Sequence, residues 1–278
     1  MSGRAPEMAQ AVAAALDALS GGEPVVRVVV VAAPAAAVGR HLLVWAERVE
    51  GALGDAVLEA EAVSLARALL AGEQGVREGI REVMGYALYL EAHRPPPELV
   101  IVGAGHIARP LCTLGALLGF EVTVLDDRPE FATRERFPEA REVRRADFAA
   151  PLEGLTLGPR AHLVLVTRGH KYDFEALRDV LLRPVLPAYV GMVGSRRRTR
   201  AALTQLAREG IPPERLERIH APIGLDLGAE TPEEIAVAIA AELIKLRRGG
   251  TGRSLREVER VFVRTRDSEF GNQGWGAG

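Results

Sequence analysis

The residues of this chain that could do chemistry fall in three short stretches, each directly after an apolar run. The first is Gly103-Ala104-Gly105-His106-Ile107, with Asp126-Asp127-Arg128 about 20 residues further on. Gly103 allows a tight turn, Gly105 lets the backbone approach a pyrophosphate, and Ala108 lets the following helix pack closely on its strand. Free N–H groups at the helix start, together with the helix dipole, favour phosphate there. A carboxylate at Asp126 can bind both hydroxyls of a ribose, which favours NAD or a related dinucleotide over NADP. The second stretch is Thr167-Arg168-Gly169-His170-Lys171-Tyr172-Asp173. Arg168 suits a phosphate, His170 suits proton transfer, and Asp173 reads as the N-cap of the next helix. The third is Gly194-Ser195-Arg196-Arg197-Arg198. Arginines in a first turn oppose the helix dipole unless a bound anion compensates. Ser195 and Arg196 are therefore phosphate candidates, while Arg197, Arg198 and Arg200 read as a solvated basic face.

No catalytic set is evident beyond His106 and His170, the candidates for acid–base work. The six histidines (41, 93, 106, 162, 170 and 220) do not pair at metal-ligand spacing, so no metal site is expected. His162 and His220 read as structural. Cys112, the single cysteine, reads as a small buried hydrophobe, which excludes an internal disulfide and a thiolate cluster.

These stretches need a scaffold that brings strand ends together. Leu99 to Val102 is an apolar run of the kind found in strands buried on both faces. A helix to Leu118, stopped by Gly119, and a strand over Glu121 to Leu125 complete a βαβ unit. Further strands are predicted at Arg141–Val143, Ala161–Thr167, Ala188–Val193 and Ile219–Ile223, alternating with helices at Phe174–Leu182 and Ser195–Arg208. Thr231-Pro232-Glu233-Glu234 is a capping box with proline in the first turn; Ile235, Ile239, Leu243 and Leu246 form the expected buried face of its helix. This alternation predicts a doubly wound, Rossmann-like parallel sheet over 98–250, with its ligands beyond the carboxyl ends of the strands.

Before it, residues 1–94 read as a smaller α/β domain, joined through the stiff Pro95-Pro96-Pro97 linker. A helix carries Met8, Val12, Leu16 and Leu19 on one face, followed by strands at Val25–Ala33 and Arg40–Val49. Turns are expected at Pro34 and Gly51–Gly54, then a helix at Asp55–Leu70; Val76–Leu90 fits either a helix or a strand pair. Residues 251–278 read as a tail, disordered at its GNQGWGAG end. Net charge of −2 gives no reason to expect a nucleic-acid partner, and no apolar run reaches membrane-spanning length. Without a signal-peptide pattern, cytoplasm is the expected location. With only Lys171 and Lys245 present, there is little room for lysine-based catalysis.

The runs VGAGHIARPL, VTVLDDRPEFATRERFP, VTRGHKYDFEAL, YVGMVGSRRR and APIGLDLGAETPEEIAVAIAAELI, in this order, resemble the xanthine dehydrogenase accessory factor family of XdhC/CoxI type. The resemblance covers about Glu98 to Arg248. It implies a Rossmann domain behind a smaller N-terminal domain, and a maturation factor that binds molybdenum cofactor (molybdopterin) and delivers it to a molybdenum hydroxylase apoenzyme. It further implies a part in sulfuration of that cofactor, with a cysteine desulfurase as a second partner, and a cofactor-binding chaperone more than a catalyst. The family's GSxGGGCxE-like segment corresponds to Gly51-Ala52-Leu53-Gly54-Asp55-Ala56-Val57-Leu58-Glu59, where Val57 replaces the cysteine and Asp55 and Ala56 replace glycines. Carried over from the Rossmann half are Gly103, Gly105, His106, Ile107, Asp126, Asp127, Arg128, Arg168, Gly169, His170, Ser195 and Arg196, as a nucleotide or pterin-nucleotide site. An NAD-dependent oxidoreductase and a nucleotide-sensing regulator remain alternatives, and a homodimer is compatible with a small domain on a proline linker.

Overall fold

The computed structural model describes residues 4–258 apart from 21, 34–36, 74 and 148. The turn expected at Pro34 and the disorder expected of the GNQGWGAG end lie outside these residues. The chain builds two sheets. The first half runs α1 (Arg4–Leu19), β1 (Val25–Ala32), β2 (His41–Val44), β3 (Val49–Ala52), α2 (Ala56–Ala71), β4 (Gly79–Val83) and β5 (Tyr86–His93). Its strands form one antiparallel sheet in the order β3-β2-β1-β5-β4.

α2 covers one face of that sheet through Leu58, Ala62, Ala66 and Leu69, packed on Val26, Val28, Val30, Leu42, Val44, Leu88 and Leu90. Two expectations are corrected here. Arg40 to Val49 is a hairpin rather than one strand: the N–H of Trp45 donates to the carbonyl of Arg48, and Gly51 lies inside β3. The turn carries Glu47 and Arg48, without the glycine, proline or asparagine that would announce it. In α1, Val12, Leu16 and Leu19 are exposed, and the helix buries Ala11 and Ala18 against Val25, Leu43 and Trp45. The indole already fills that layer, so only alanine lets the helix approach. The side chain of Met8 lies outside the described residues. Val76–Leu90 resolves as the strand pair β4–β5, with Gly85 at φ 79° in the turn.

Residues 94–97 lead into the second half: β6 (Glu98–Val102), α3 (Ala108–Leu117), β7 (Glu121–Asp126), β8 (Glu142–Arg145), β9 (Ala161–Leu165), α4 (His170–Leu182), β10 (Tyr189–Met192), α5 (Arg196–Arg208), α6 (Pro213–Leu216), β11 (Ile219–His220), α7 (Pro232–Arg248) and α8 (Leu255–Val258). These strands form one parallel sheet in the order β11-β10-β9-β6-β7-β8, with the Rossmann-like doubly wound arrangement expected. One face carries α3 and α7 over Leu99, Ile101, Val122, Val124 and Val164. The other carries α4 and α5 over Val100, Val102, Leu163 and Leu165.

Packing under α3 is tight. A Cβ on Gly115 would stand 2.6 Å from Leu99 Cδ2 and 3.1 Å from Val122 Cγ2, so a glycine sets the helix-to-sheet spacing there. The capping box of α7 forms as expected: the Thr231 side chain accepts from the Glu234 N–H, and the Glu234 carboxylate accepts from the Thr231 N–H. Its buried face differs. Leu246 is 45 % exposed, while Ala236, Ala238 and Ala240 are buried beside Ile239 and Leu243, because α7 packs closely along α3. Among the described residues no helix is long and apolar enough to cross a membrane.

Candidate functional site

β6 and β9 are adjacent, and the chain winds from β6 towards β7 on one side and from β9 towards β10 on the other. This is the topological switch point at which open α/β sheets bind ligands. The glycine turn lies at the carboxyl end of β6. Gly103 has φ 105°, and a Cβ there would stand 2.7 Å from the Val166 carbonyl oxygen and 3.1 Å from Thr167 Cα. Its smallness is thus required by the neighbouring strand end. Gly105 differs: no heavy atom lies within 4 Å of where its Cβ would stand, and its φ is not in the left-handed region. Its freedom from a side chain serves the space above the turn. α3 follows with Ile107 at its N-cap and no side-chain cap, so the N-terminal N–H groups are not shielded by a neighbouring carboxylate or hydroxyl.

Asp126 is fully buried. One oxygen accepts from the Ala104 N–H at 2.7 Å and from a terminal nitrogen of Arg128 at 2.9 Å; the other accepts from the Arg128 Nε at 2.8 Å and the Arg128 N–H at 3.0 Å. Burial pushes the carboxyl up, but the bidentate Arg128 guanidinium and the two backbone N–H groups outweigh it and hold Asp126 at about 2. One oxygen thus ties the glycine turn to the end of β7 and both hold Arg128, so Asp126 is not free to take the ribose hydroxyls expected of it. The adjacent Asp127 has one oxygen paired with Arg168 at 2.8 Å. Its Oδ1, 3.9 Å from the Arg128 Nε, is buried without a hydrogen-bond partner among the described residues. The Asp127–Arg168 pair runs from the end of β7 to the loop after β9, across the end of β6.

The DDRPEFATRERF run braces this arrangement. The ring of Phe131 lies between two guanidinium groups, Arg128 at 3.5 Å and Arg136 at 4.5 Å from its centroid, and Phe137 is fully buried. Arg136 also donates to the Ala104 carbonyl at 3.3 Å. Sequence reading missed Phe131 and Arg136, because their roles depend on a loop folding back beneath the turn. The acid followed by Arg-x-x-Phe was the available signal.

In the second loop, Asp173 is not the N-cap expected of it. Gly169 holds that position, and Asp173 is buried one turn inside α4. It accepts from the Thr167 hydroxyl at 2.5 Å and faces Arg198 at 3.7 Å; burial nevertheless raises its carboxyl to about 6. Arg198 is consequently not part of a solvated face. The backbone of His170 opens α4, and its side chain lies outside the described residues. His106 is exposed in the glycine turn, and no group of three or more His, Cys, Asp or Glu able to hold a metal occurs among the described residues. Ser195 caps α5 by accepting from the Arg198 N–H, and Arg196 is exposed beside Arg197 and Arg200. The structure thus groups Gly103, Gly105, Asp126, Asp127, Arg128, Arg168 and Gly169 at the switch point. Ser195 and Arg196 lie beyond β10, two strands or roughly 10 Å along the sheet.

The segment Gly51 to Glu59 is closed by its own side chains. Asp55 caps α2, accepting from the N–H groups of Val57 and Leu58 at 2.9 and 3.0 Å. Glu59 accepts from the N–H groups of Leu53 and Gly54 at 2.8 and 2.9 Å. Val57 is 60 % exposed. Cys112 is fully buried in the other half, where burial raises its thiol to about 11.

Two family models match the chain: the XdhC Rossmann domain over residues 99–243, and the XdhC and CoxI family over residues 18–79. The chain is 35% identical over 167 residues to the uncharacterized protein YqeB of Escherichia coli K12, matching 60% of this chain and 30% of that protein. It is 34% identical over 161 residues to a probable xanthine dehydrogenase subunit of Bacillus subtilis 168, matching 58% of this chain and 46% of that protein. The crystal structure of a xanthine dehydrogenase from Bacillus halodurans superposes with a TM-score of 0.67 at 26% identity, covering 86% of this chain and 67% of that one. The chain spans less than half the length of these two curated relatives. It belongs to the XdhC and CoxI family.

Proposed function

From membership of the XdhC and CoxI family, we propose that this protein is an accessory factor of a xanthine-dehydrogenase-type molybdenum hydroxylase, binding a phosphorylated dinucleotide or pterin nucleotide at the β6–β9 switch point. Two relatives carry xanthine dehydrogenase in their names, which supports the client class. The observation that carries the ligand class is the pairing of open space at Gly105 with the uncapped start of α3. In this reading the α3 N–H groups hold a phosphate. Asp127 accepts from a ribose hydroxyl through the Oδ2 that Arg168 releases, while Asp126 and Arg128 keep the turn rigid. Arg168 exchanges Asp127 for the ligand's phosphate. The metal chemistry belongs to the bound group; the chain's own residues bind and orient it.

The sulfuration step that the family resemblance implies finds no support in these residues. Val57 offers no sulfur, Asp55 and Glu59 fill the anion position at the start of α2, and Cys112 is buried. No step is routed through a cysteine or a desulfurase.

Mass spectrometry of small molecules released from native protein, co-expressed with cofactor synthesis, tests the proposal. A pterin nucleotide or dinucleotide in near-stoichiometric amount is the expected result. Calorimetry showing NAD binding at micromolar level and none for molybdopterin would replace the maturation role with an NAD-dependent one.

A further inference from the structure

The two halves of the chain meet at the end of the parallel sheet opposite the glycine turn. Pro97, Arg160 and Ala188 directly precede β6, β9 and β10, and all three line a cleft of about 990 Å³. A five-residue strand rising ~3.3 Å per residue puts this cleft roughly 16 Å from the switch point. It is therefore not part of the candidate nucleotide site.

Its charge is one-sided. Arg67 and Arg94 enter from the first half, Arg160, Arg247 and Arg248 from the second, against only Glu23 and Glu78. Glu23 is already bound to Arg48 at 2.5 Å, and Arg160 has its own carboxylate, Glu98, at 3.0 Å. Among the described residues, Arg67, Arg94, Arg247 and Arg248 have no carboxylate within 4.0 Å, and Arg94 donates to the Leu69 carbonyl at 2.5 Å. Three helix C-termini, those of α1, α2 and α7, also face the cleft, each contributing roughly half a negative charge. Four guanidinium groups without a carboxylate exceed those three half-charges and Glu78 together, so a positive surplus remains. Arg247 lies 4.6 Å over the Phe120 ring; burial lowers its pKa, and the neighbouring Arg248 lowers it further.

The rest of the wall is apolar and rigid. Pro95, Pro96, Leu70 and Leu246 line it, with His162 and Tyr189 at the base. Their rings stack at 6.3 Å and 28°, and Tyr189 is anchored by donating to Glu242 at 2.7 Å. Glu242 in turn accepts from the Gly224 N–H at 2.8 Å and faces His220 at 3.3 Å. An apolar wall of prolines and leucines under a rim of arginine forks suits a ligand with an apolar body and a phosphate.

We propose that this inter-half cleft is a second binding site, specific for a phosphate-bearing small molecule with an apolar body, which ties the two halves together through arginines from both.

The full chain titrated with 1-naphthyl phosphate tests this by calorimetry. Saturable one-to-one binding below about 1 mM is expected. The exposed pair Arg67→Gln/Arg248→Gln is expected to weaken it at least about tenfold, in line with charge-assisted hydrogen bonds to phosphate. The same probe without phosphate, 1-naphthol, is expected to bind at least about tenfold more weakly. Gly105→Val, at the switch point, is expected to leave binding of 1-naphthyl phosphate unchanged. Failure to saturate, equal affinity in the arginine variant, equal affinity for 1-naphthol, or loss in Gly105→Val each overturns the proposal. Because the Gly105→Val arm reads the other site separately, failure here leaves the accessory-factor reading intact.

Discussion

The glycine-bearing loops that open α2 and α3 end in opposite states. At α2, the Asp55 carboxylate takes two first-turn N–H groups and Glu59 takes two more from the loop. At α3 no side chain among the described residues caps the helix, and the nearby carboxylate of Asp126 holds Ala104 and Arg128 instead. The first loop is satisfied from within; the second is held rigid from below and left open above. A helix start becomes an anion site only when its own sequence does not supply the anion. In this protein the segment from Gly51 to Glu59 is a structural cap, while the start of α3 has no side-chain cap.

The largest effect is expected where the open loop is held. Asp126→Ala leaves the Arg128 guanidinium and the Ala104 N–H facing a buried gap, and should cost about 3–5 kcal/mol in urea unfolding. The pH dependence follows the same pair. Asp126 lies at about 2 in the folded protein and near 3.8 when unfolded. Its stabilising contribution is therefore complete above the unfolded value and lost as pH falls through about 2. Asp126→Asn should flatten the acid limb of a stability–pH curve; an unchanged limb would show that the carboxylate does not hold the turn.

The two glycines of the turn should separate next. Gly103→Ala places a side chain at φ 105° against the Val166 carbonyl, and about 1–3 kcal/mol of stability should be lost. Gly105→Val should change stability by only about 0.5 kcal/mol yet lower affinity for a dinucleotide at least about tenfold. Equal stability losses would remove the distinction between a packing glycine and a binding glycine.

Smaller effects test the closed loop. Asp55→Ala should cost about 1 kcal/mol by thermal unfolding, with dinucleotide affinity unaffected. Val57→Cys restores the thiol at the start of α2. With Asp55 beside it, that thiol should titrate at or above about 8.5; adding Asp55→Gly should bring it lower, as iodoacetamide reactivity against pH would show. A depressed thiol in the single variant would mean that the Asp55 cap does not shield the helix start.

Much of this was legible in the order of residues alone. The βαβ unit, the capping box at Thr231, the Ser195 cap and the order of strands and helices after Pro97 rest on local signals: apolar runs, glycine stops and cap residues within four positions of one another. The hairpin at residues 45–48 was not legible, because its turn lacks the usual residues. The buried face of α1 was misread too, and that of α7 at Leu246, while Ile239 and Leu243 are buried as expected. Alanine faces inward in both, since a facing indole or a closely packed helix leaves room for nothing larger.

Fold class and family follow from signals set by neighbours along the chain, such as glycine spacing and apolar runs. What each acid does depends on contacts between distant segments. Asp126 and Asp127 are adjacent and chemically identical, yet one is enclosed with four donors and the other keeps a buried oxygen without a hydrogen-bond partner. That difference arises because Asp126 ends β7 while Asp127 lies just beyond it, and because the loop that follows brings Arg128 onto Asp126. The arginines of the cleft are likewise scattered from Arg67 to Arg248 in sequence, and converge only because two separately folded sheets meet.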